Sequence, residues 1–123
     1  MARKKKNTDD SAILADTIIE AIQEKKGSEI VLLDLTKIPD AVCKYFVICS
    51  ADSNTQVKAI AGSVDEDVKK KLKEDAWHKE GFENAEWILL DYVTVVVHIF
   101  QTETRSFYNL EKLWADAEIK VIK

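Results

Sequence analysis

Ser50 and Asp52 lie where a predicted strand gives way to a helix, and Asp91 ends a later predicted strand. A hydroxyl and two carboxylates brought together could position a nucleotide and a divalent metal for nucleotidyl transfer. That chemistry needs two carboxylates on one strand face, two residues apart. The later strands carry Glu86 and Asp91 but no such pair. A metal-dependent nucleotidyltransferase is therefore kept only as an alternative function.

The residue types that other enzyme classes require are also poorly placed. Glycines occur only at positions 27, 62 and 81, which leaves neither a P-loop nor a glycine-rich dinucleotide turn. The residues that could ligate zinc are Cys43, Cys49, His78 and His98. They lack the close pairing that zinc sites show. We expect no catalytic residue, metal or cofactor, and we expect His98 to be a hydrogen-bonded structural residue.

The charges divide the chain into a basic start and an acidic body. Four of the 18 Lys and Arg residues lie at positions 3–6, so the 22 Asp and Glu residues outnumber the cations that remain. An acidic body is a poor ligand for nucleic-acid phosphates and is better suited to a basic protein partner. We expect residues 1–9 to be a disordered tail, whose basic segment is either a solvated terminus or an RNA contact.

Composition indicates one globular domain. The 123 residues are 46% apolar and 33% charged, and this length corresponds to a single domain, which we place at residues 10–118. The longest apolar run, residues 45–49, is far shorter than the roughly 20 residues of a membrane span. Two cysteines do not make a disulfide framework. We therefore expect a cytoplasmic protein without membrane contact.

Hydrophobic periodicity predicts the elements that must position these residues. The predicted helices cover residues 11–26, 54–74 and 105–115. The predicted strands cover residues 29–35, 45–50, 86–91 and 93–100. The order αββαββα favours the α/β (α+β) class, with helices packed on a single mixed four-stranded sheet. Residues 119–123 are expected to form a C-terminal tail or a frayed strand.

Two local features are predicted in more detail. Ser53 and Gln56 form a capping box, in which the Ser53 hydroxyl accepts from the Gln56 N–H and the Gln56 side chain reaches back. The hairpin between the last two strands lacks the Gly or Asn that a tight turn favours. The pattern leaves open which turn Tyr92 and Val93 adopt.

An ordered set of motifs runs along most of the chain. The motifs are Tyr45-Phe46-Val47-Ile48, Ser50-x-x-Ser53-x-x-Gln56-Val57-x-Ala59-Ile60-Ala61, Glu80-Gly81, Trp87-Ile88-Leu89-Leu90-Asp91-Tyr92, Val96-Val97-His98-Ile99-Phe100 and Arg105-x-Phe107-Tyr108-x-Leu110-Glu111-x-Leu113-Trp114. The set closely resembles the ribosomal silencing factor family, also called RsfS or Iojap-like, from about residue 13 to residue 116. The chain departs from the family pattern at Lys44, Ala51, Val93 and Thr94, the last two standing where Gly-Asp usually forms the hairpin turn.

The resemblance implies a translation regulator without enzymatic activity or cofactor. Members of the family bind the large ribosomal subunit through its ribosomal protein fourteen and block joining with the small subunit. Their fold resembles a nucleotidyltransferase that lacks its catalytic carboxylates, which agrees with the missing pair described above. The acidic body also suits a basic ribosomal protein.

Three residues of the third predicted strand are the main candidates for partner contact. Trp87, Leu89 and Asp91 alternate onto one face of the strand. Tryptophan is over-represented in binding hot spots, and Asp91 could pair with an Arg or Lys of the partner. The alternative is that Trp87 belongs to the core and Asp91 begins a turn.

Three further residues are expected to border the same surface. Tyr92 is expected to be exposed at the hairpin tip, and Arg105 and Tyr108 could flank the surface from the last helix. Phe107 and Trp114 are expected in the core.

Two other uses of the chain remain open. An exposed aromatic sheet face could form a homodimer as well as a ribosome contact, and the two could compete. A generic interaction module that contacts RNA through the basic tail would lose affinity steeply with salt.

Overall fold

The computed structural model describes residues 8–122 as one sheet with four helices. The helices are α1 (Thr8–Glu24), α2 (Asn54–Leu72), α3 (Thr102–Tyr108) and α4 (Leu110–Leu113). The strands are β1 (Ser28–Asp34), β2 (Tyr45–Ala51), β3 (His78–Glu80), β4 (Trp87–Asp91), β5 (Val95–Gln101) and β6 (Glu118–Val121). The sheet order is β3-β4-β5-β2-β1-β6, with β2 and β5 parallel and the other pairs antiparallel. The predicted α+β class with a single mixed sheet is confirmed.

The described part of the sheet has six strands where the sequence predicts four. β3 lies in a predicted loop and pairs with β4. β6 covers most of residues 119–123, expected as a tail or a frayed strand, and its pairing with β1 confirms the strand alternative. Both are short edge strands whose residues are all exposed. Such strands carry no buried apolar face, and this is the signal on which a strand prediction depends.

The first helix begins earlier in the chain than predicted. α1 begins at Thr8, three residues before the predicted start at Ser11. Residues 1–7, with the basic segment at positions 3–6, lie outside the described residues. The disorder of residues 1–7 therefore stays a prediction, whereas Thr8 and Asp9, also predicted in the tail, are helical.

Two apolar cores lie on opposite faces of the sheet. One face, which we call the first face, carries Val47 and Val97 and packs against α1 and α2. The second face carries Phe46 and Phe100 and contacts the segment after β5. Its helical cover is slight, because α3 buries none of its residues and α4 buries only Leu110. The second face is therefore partly open.

Only one of the two hydrogen bonds of the predicted capping box forms at the start of α2. The Ser53 hydroxyl accepts a hydrogen bond from the Gln56 N–H at 3.1 Å, as predicted. The Gln56 side chain does not reach back to the cap; its Nε2 donates to the Lys25 carbonyl. Gln56 therefore connects the start of α2 to the segment that follows α1.

The last predicted helix is broken. Asn109 adopts a left-handed conformation with φ 49° and separates α3 from α4. The short helix before the break buries none of its residues, and Phe107 is 81% exposed, so the prediction that it lies in the core is wrong. Trp114 does reach the second-face core, where its ring meets Phe46 edge-on at 5.6 Å.

The β4–β5 hairpin closes through an unusual turn. Val93 has φ 76°, a region that costs energy for a β-branched residue. The Asp91 side chain accepts from the Val93 N–H at 2.8 Å, and the Tyr92 carbonyl accepts from the Thr94 N–H at 2.9 Å. The second bond closes a three-residue γ-turn around Val93.

Replacing Val93 by glycine should raise the free energy of unfolding by about 1 kcal/mol, because glycine adopts positive φ without steric cost. Val93 is exposed, so little apolar burial is lost. Urea denaturation measures the change. Thr94→Gly is the matched control, since Thr94 is not among the residues with positive φ, and it should lower stability. A less stable Val93→Gly variant would contradict the strain at this turn.

Candidate protein-docking surface

The three candidate contact residues of β4 lie together on the second face of the sheet. Trp87, Leu89 and Asp91 alternate with buried residues along β4, and each is half-buried. In the antiparallel pairing Trp87 lies opposite Phe100, and Leu89 lies opposite His98. The predicted alternation onto one face is confirmed, and the face is open enough to expose part of each side chain.

The Trp87 indole is held from three sides. Its ring stacks on Phe100 with centroids 4.8 Å apart and 29° between the planes. On the α3 side it meets Tyr108, also at 4.8 Å. Its Nε1 donates a hydrogen bond to Nδ1 of His98 at 3.1 Å. Tyr108 is itself 49% exposed, so it extends the aromatic surface beyond Trp87.

His98 lies beneath this surface as the buried partner of Trp87. The side chain is 4% exposed, and its ring packs edge-on against Phe46 at 4.7 Å. Burial lowers the pKa of His98 from 6.5 to about 4 because the charged form loses hydration. The expected hydrogen bond of His98 is present, with Trp87 as its donor.

The lowered pKa of His98 makes stability depend on pH. The unfolded chain binds a proton near pH 6.5, whereas the folded chain binds it only near pH 4. Stability is therefore undiminished above pH 6.5 and falls as the pH drops toward 4. We expect protonation of His98 to lower the free energy of unfolding by about 3 kcal/mol between pH 6.5 and pH 4.

Urea denaturation of the wild type and of His98→Leu across pH 4 to 7 measures this contribution. The leucine variant should show a smaller fall in the free energy of unfolding, because it lacks the titrating group. Equal pH dependence in the two proteins would show that His98 does not titrate as its burial requires.

A groove of about 480 Å³ opens beside Trp87. Trp87, Tyr108 and Phe82 provide aromatic walls, and three exposed glutamates line the groove, namely Glu80, Glu83 and Glu86. Lys79 also lines it, but its ammonium group is paired with Asp65 at 3.2 Å. An aromatic wall beside carboxylates is suited to an Arg or Lys side chain, which gains both cation–π contact and charge pairing.

A second groove, of about 370 Å³, lies at the other end of β4. Asp91 contributes a carboxylate, and the remaining lining is apolar, formed by Val42, Trp77, Val93 and Val96. Leu89 lies between the two grooves on the same strand face. We call Trp87, Leu89, Asp91 and Tyr108, together with these grooves, the Trp87 surface.

Sequence reasoning missed the residues that line the two grooves beside the strand, among them two large exposed apolar side chains. Trp77 is 76% exposed and precedes β3, and Val42 is exposed in the segment between β1 and β2. Large apolar residues in polar connecting segments indicate contact sites when several of them are exposed together. Trp77 carried that signal, because it lies in a charged stretch without periodicity.

Tyr92 does not lie at an exposed hairpin tip, so that prediction is wrong. It is 5% exposed and belongs to the first-face core with Leu90, two residues earlier. The turn is made by Val93 and Thr94 instead. Burial raises the pKa of the Tyr92 hydroxyl above its usual value. Tyr92 supports the fold behind the surface and is not available for contact.

Arg105 is engaged within the protein. Its side chain is 11% exposed, and Nε and Nη2 bind the Glu111 carboxylate at 3.2 and 2.7 Å. Nη1 donates to the Glu29 carbonyl at 2.7 Å and to the Ser50 hydroxyl at 3.1 Å. These bonds tie the start of β1 and the end of β2 to the segment after β5.

The residues of the nucleotidyltransferase alternative are not brought together. Ser50 lies beside Phe100 near the end of β2, and Asp52 follows it, accepting a hydrogen bond from Thr102 at 3.0 Å. Asp91 lies beside Val96, at the opposite end of the parallel β2–β5 pair. The proposed catalytic constellation is therefore not formed.

In the part of the chain that the structure describes, no helix has the length and apolar character needed to cross a membrane.

Known proteins resemble the chain in sequence and in fold. The family model described as "Ribosomal silencing factor during starvation" matches residues 8–123. The ribosomal silencing factor RsfS of Bacillus subtilis is 41% identical over 102 residues, covering 80% of this chain and 82% of that protein. A crystal structure of a Chromobacterium violaceum protein has a TM-score of 0.80 and 36% identity, covering 85% of each chain.

A more distant relative comes from mouse. The protein named mitochondrial assembly of ribosomal large subunit protein 1 is 28% identical over 103 residues, covering 80% of this chain and 44% of its own length. The family match spans nearly the whole chain, and the bacterial relatives agree with it in sequence and fold. The chain belongs to the RsfS family of ribosomal silencing factors.

Proposed function

We propose that this protein silences ribosomes by binding the large subunit through its ribosomal protein fourteen and blocking joining with the small subunit. The observation that carries the proposal is the position of Trp87. Its side chain is half-buried on a sheet face that the short helices leave partly open. An indole carries a large apolar area, and the exposed part of this one is available for contact with a partner.

The character of the Trp87 surface supports a basic protein partner. Trp87 and Leu89 offer apolar contact at its centre, and Asp91 and the three groove glutamates provide negative charge around them. Interfaces of this kind combine an aromatic anchor with a charged rim. An RNA partner would instead require a basic surface.

The names of relatives support the choice of ribosome and subunit. The Bacillus subtilis relative is named a ribosomal silencing factor, and the mouse relative is named for assembly of the ribosomal large subunit. By this proposal the protein acts in the cytoplasm by steric exclusion, without turnover or cofactor.

The docking residues of the proposal are Trp87, Leu89, Asp91 and Tyr108. Arg105 is left out because its donors are engaged by Glu111, Glu29 and Ser50, and Tyr92 is left out because it is buried. The second groove, which Trp77 lines, is added as a further point of contact.

Sucrose-gradient sedimentation tests the proposal. The purified protein should migrate with isolated large subunits and not with small subunits. When small subunits are added, increasing amounts of protein should reduce the fraction of joined ribosomes. An excess of free ribosomal protein fourteen should release it from the large subunit. Migration that this competitor leaves unchanged would contradict the proposed contact.

A homodimer through the same surface is the competing use. Analytical ultracentrifugation of the free protein measures it, and a dimer should dissociate as large subunits are added. Deleting residues 1–7 tests the RNA contact by the basic tail, which should lower affinity and its salt dependence together if it exists.

A further inference from the structure

A buried polar side chain, His98, lies beneath the Trp87 surface, and the proposed docking function does not explain why it is there. His98 is 4% exposed, and within residues 8–122 its Nε2 has no hydrogen-bond partner. A buried polar group without a partner lowers stability, so an apolar residue of similar size would suit this core better. The presence of a histidine therefore calls for an explanation outside the stability of the fold.

The hydrogen bond to Trp87 fixes the protonation of the imidazole. An indole N–H can only donate, so the atom that receives it must carry a lone pair. Trp87 Nε1 lies 3.1 Å from His98 Nδ1. Nδ1 is therefore the unprotonated nitrogen, and the proton of the neutral ring lies on Nε2, the atom without a partner.

The acceptor is held in place by its surroundings. β5 lies between β4 and β2, so the backbone of His98 is paired with Leu89 on one side and Ile48 on the other. The ring packs edge-on against Phe46 at 4.7 Å and lies nearly parallel to Phe100, 14° between planes, at 6.2 Å. The lone pair of Nδ1 therefore points in a fixed direction toward Trp87.

The Trp87 indole is asymmetric, so the direction of its Nε1 depends on how the ring is turned about the Cβ–Cγ bond. In the structure Nε1 faces His98 while the ring stacks on Phe100 and meets Tyr108, and a half-turn would reverse it. After such a turn Nε1 would point away from Nδ1, and a different edge of the indole would face the partner. The hydrogen bond distinguishes the two orientations.

We propose that His98 is a positioning residue of the docking surface: by accepting the indole hydrogen bond at Nδ1, it holds Trp87 in the orientation that the partner binds. The role rests on the proposed function, because it matters only if Trp87 anchors the partner. An anchor that is already ordered loses less freedom on binding, so the benefit appears in affinity while the unpartnered Nε2 lowers stability.

Two variants separate positioning from a structural role. His98→Leu fills similar space without an acceptor, and His98→Asn keeps an acceptor close to the position of Nδ1. For each, three quantities are measured: the urea midpoint, the ¹H–¹⁵N resonance of the Trp87 indole in the free protein, and the dissociation constant for purified large-subunit ribosomal protein fourteen. Trp87→Phe assigns the indole resonance by its absence.

For His98→Leu we expect an unchanged or higher urea midpoint, a shifted or doubled indole resonance, and about tenfold weaker binding, the ratio that corresponds to one lost hydrogen bond. His98→Asn should recover most of the affinity and the single resonance. An unfolded His98→Leu, or one whose indole resonance and affinity match the wild type, would overturn the positioning role.

Trp87→Ala, measured in parallel, distinguishes this failure from failure of the proposed function. If Trp87→Ala binds ribosomal protein fourteen as the wild type does, the docking surface is wrong and the positioning role is wrong with it. If Trp87→Ala weakens binding and His98→Leu does not, the docking surface stands and the positioning role alone is overturned.

Discussion

Replacing Trp87 by alanine is expected to weaken binding to large-subunit ribosomal protein fourteen by at least about 30-fold, which corresponds to about 2 kcal/mol. The loss has two sources. The indole provides the largest apolar side chain at the centre of the surface, and it also forms a wall of the glutamate-lined groove. Isothermal titration calorimetry with the purified ribosomal protein measures the effect.

The matched control for this variant is Ile13→Ala. Ile13 is a large exposed apolar residue on α1, which packs against the first face of the sheet. Its replacement should change the affinity by less than about twofold, within the range of surface substitutions. Circular dichroism must show both variants folded at the temperature of the titration. A folded Trp87→Ala variant with wild-type affinity would remove Trp87 from the docking surface.

Replacing Arg105 by alanine is expected to lower the free energy of unfolding by roughly 3 kcal/mol, because it leaves the Glu111 carboxylate partly buried without its partner. The Glu111 side chain is 25% exposed, and Arg105 is buried more deeply still. The variant also loses the bonds that connect this segment to Glu29 and Ser50. Urea denaturation at pH 7 provides the measurement.

Two further proteins make the Arg105 result specific. Lys112→Ala removes an exposed cation from α4 and should change stability by no more than about 0.5 kcal/mol. The double variant Arg105→Ala, Glu111→Ala should lose less stability than the two single variants lose together, because the second change removes the unpaired charge. Additive losses would show that the two side chains do not interact in solution.

The central strands and the Trp87 face were predictable because their signals are local. Apolar runs of β-branched residues mark β2 and β5, and alternation places Trp87, Leu89 and Asp91 on one face. The resemblance to a known family added the choice of that face as a contact site. β3 gave no such signal, since its three residues are all exposed. For residues 119–123 the pattern left a tail and a frayed strand open, because β6 is exposed and pairs with β1, which is distant in the chain.

Tyr92 and Arg105 were misjudged for different physical reasons. Tyr92 was placed in the turn, although the same alternation that orients Leu90 would have placed it on the first face. Arg105 could not be placed from its helix alone, because its partners Glu29 and Ser50 are far away in sequence. Long-range hydrogen bonds of this kind leave no local pattern.

The parallel pairing of β2 with β5 has a consequence for how fast the chain reaches this structure. β1 with β2, and β4 with β5, are neighbours in sequence and can form as separate hairpins. Their union must bring together strands separated by α2, β3 and β4. The entropy of closing that long segment is lost before the new contacts compensate for it. The rate of refolding should therefore be limited by the meeting of two hairpins, and molecules that wait before this step expose the apolar edges most prone to aggregation.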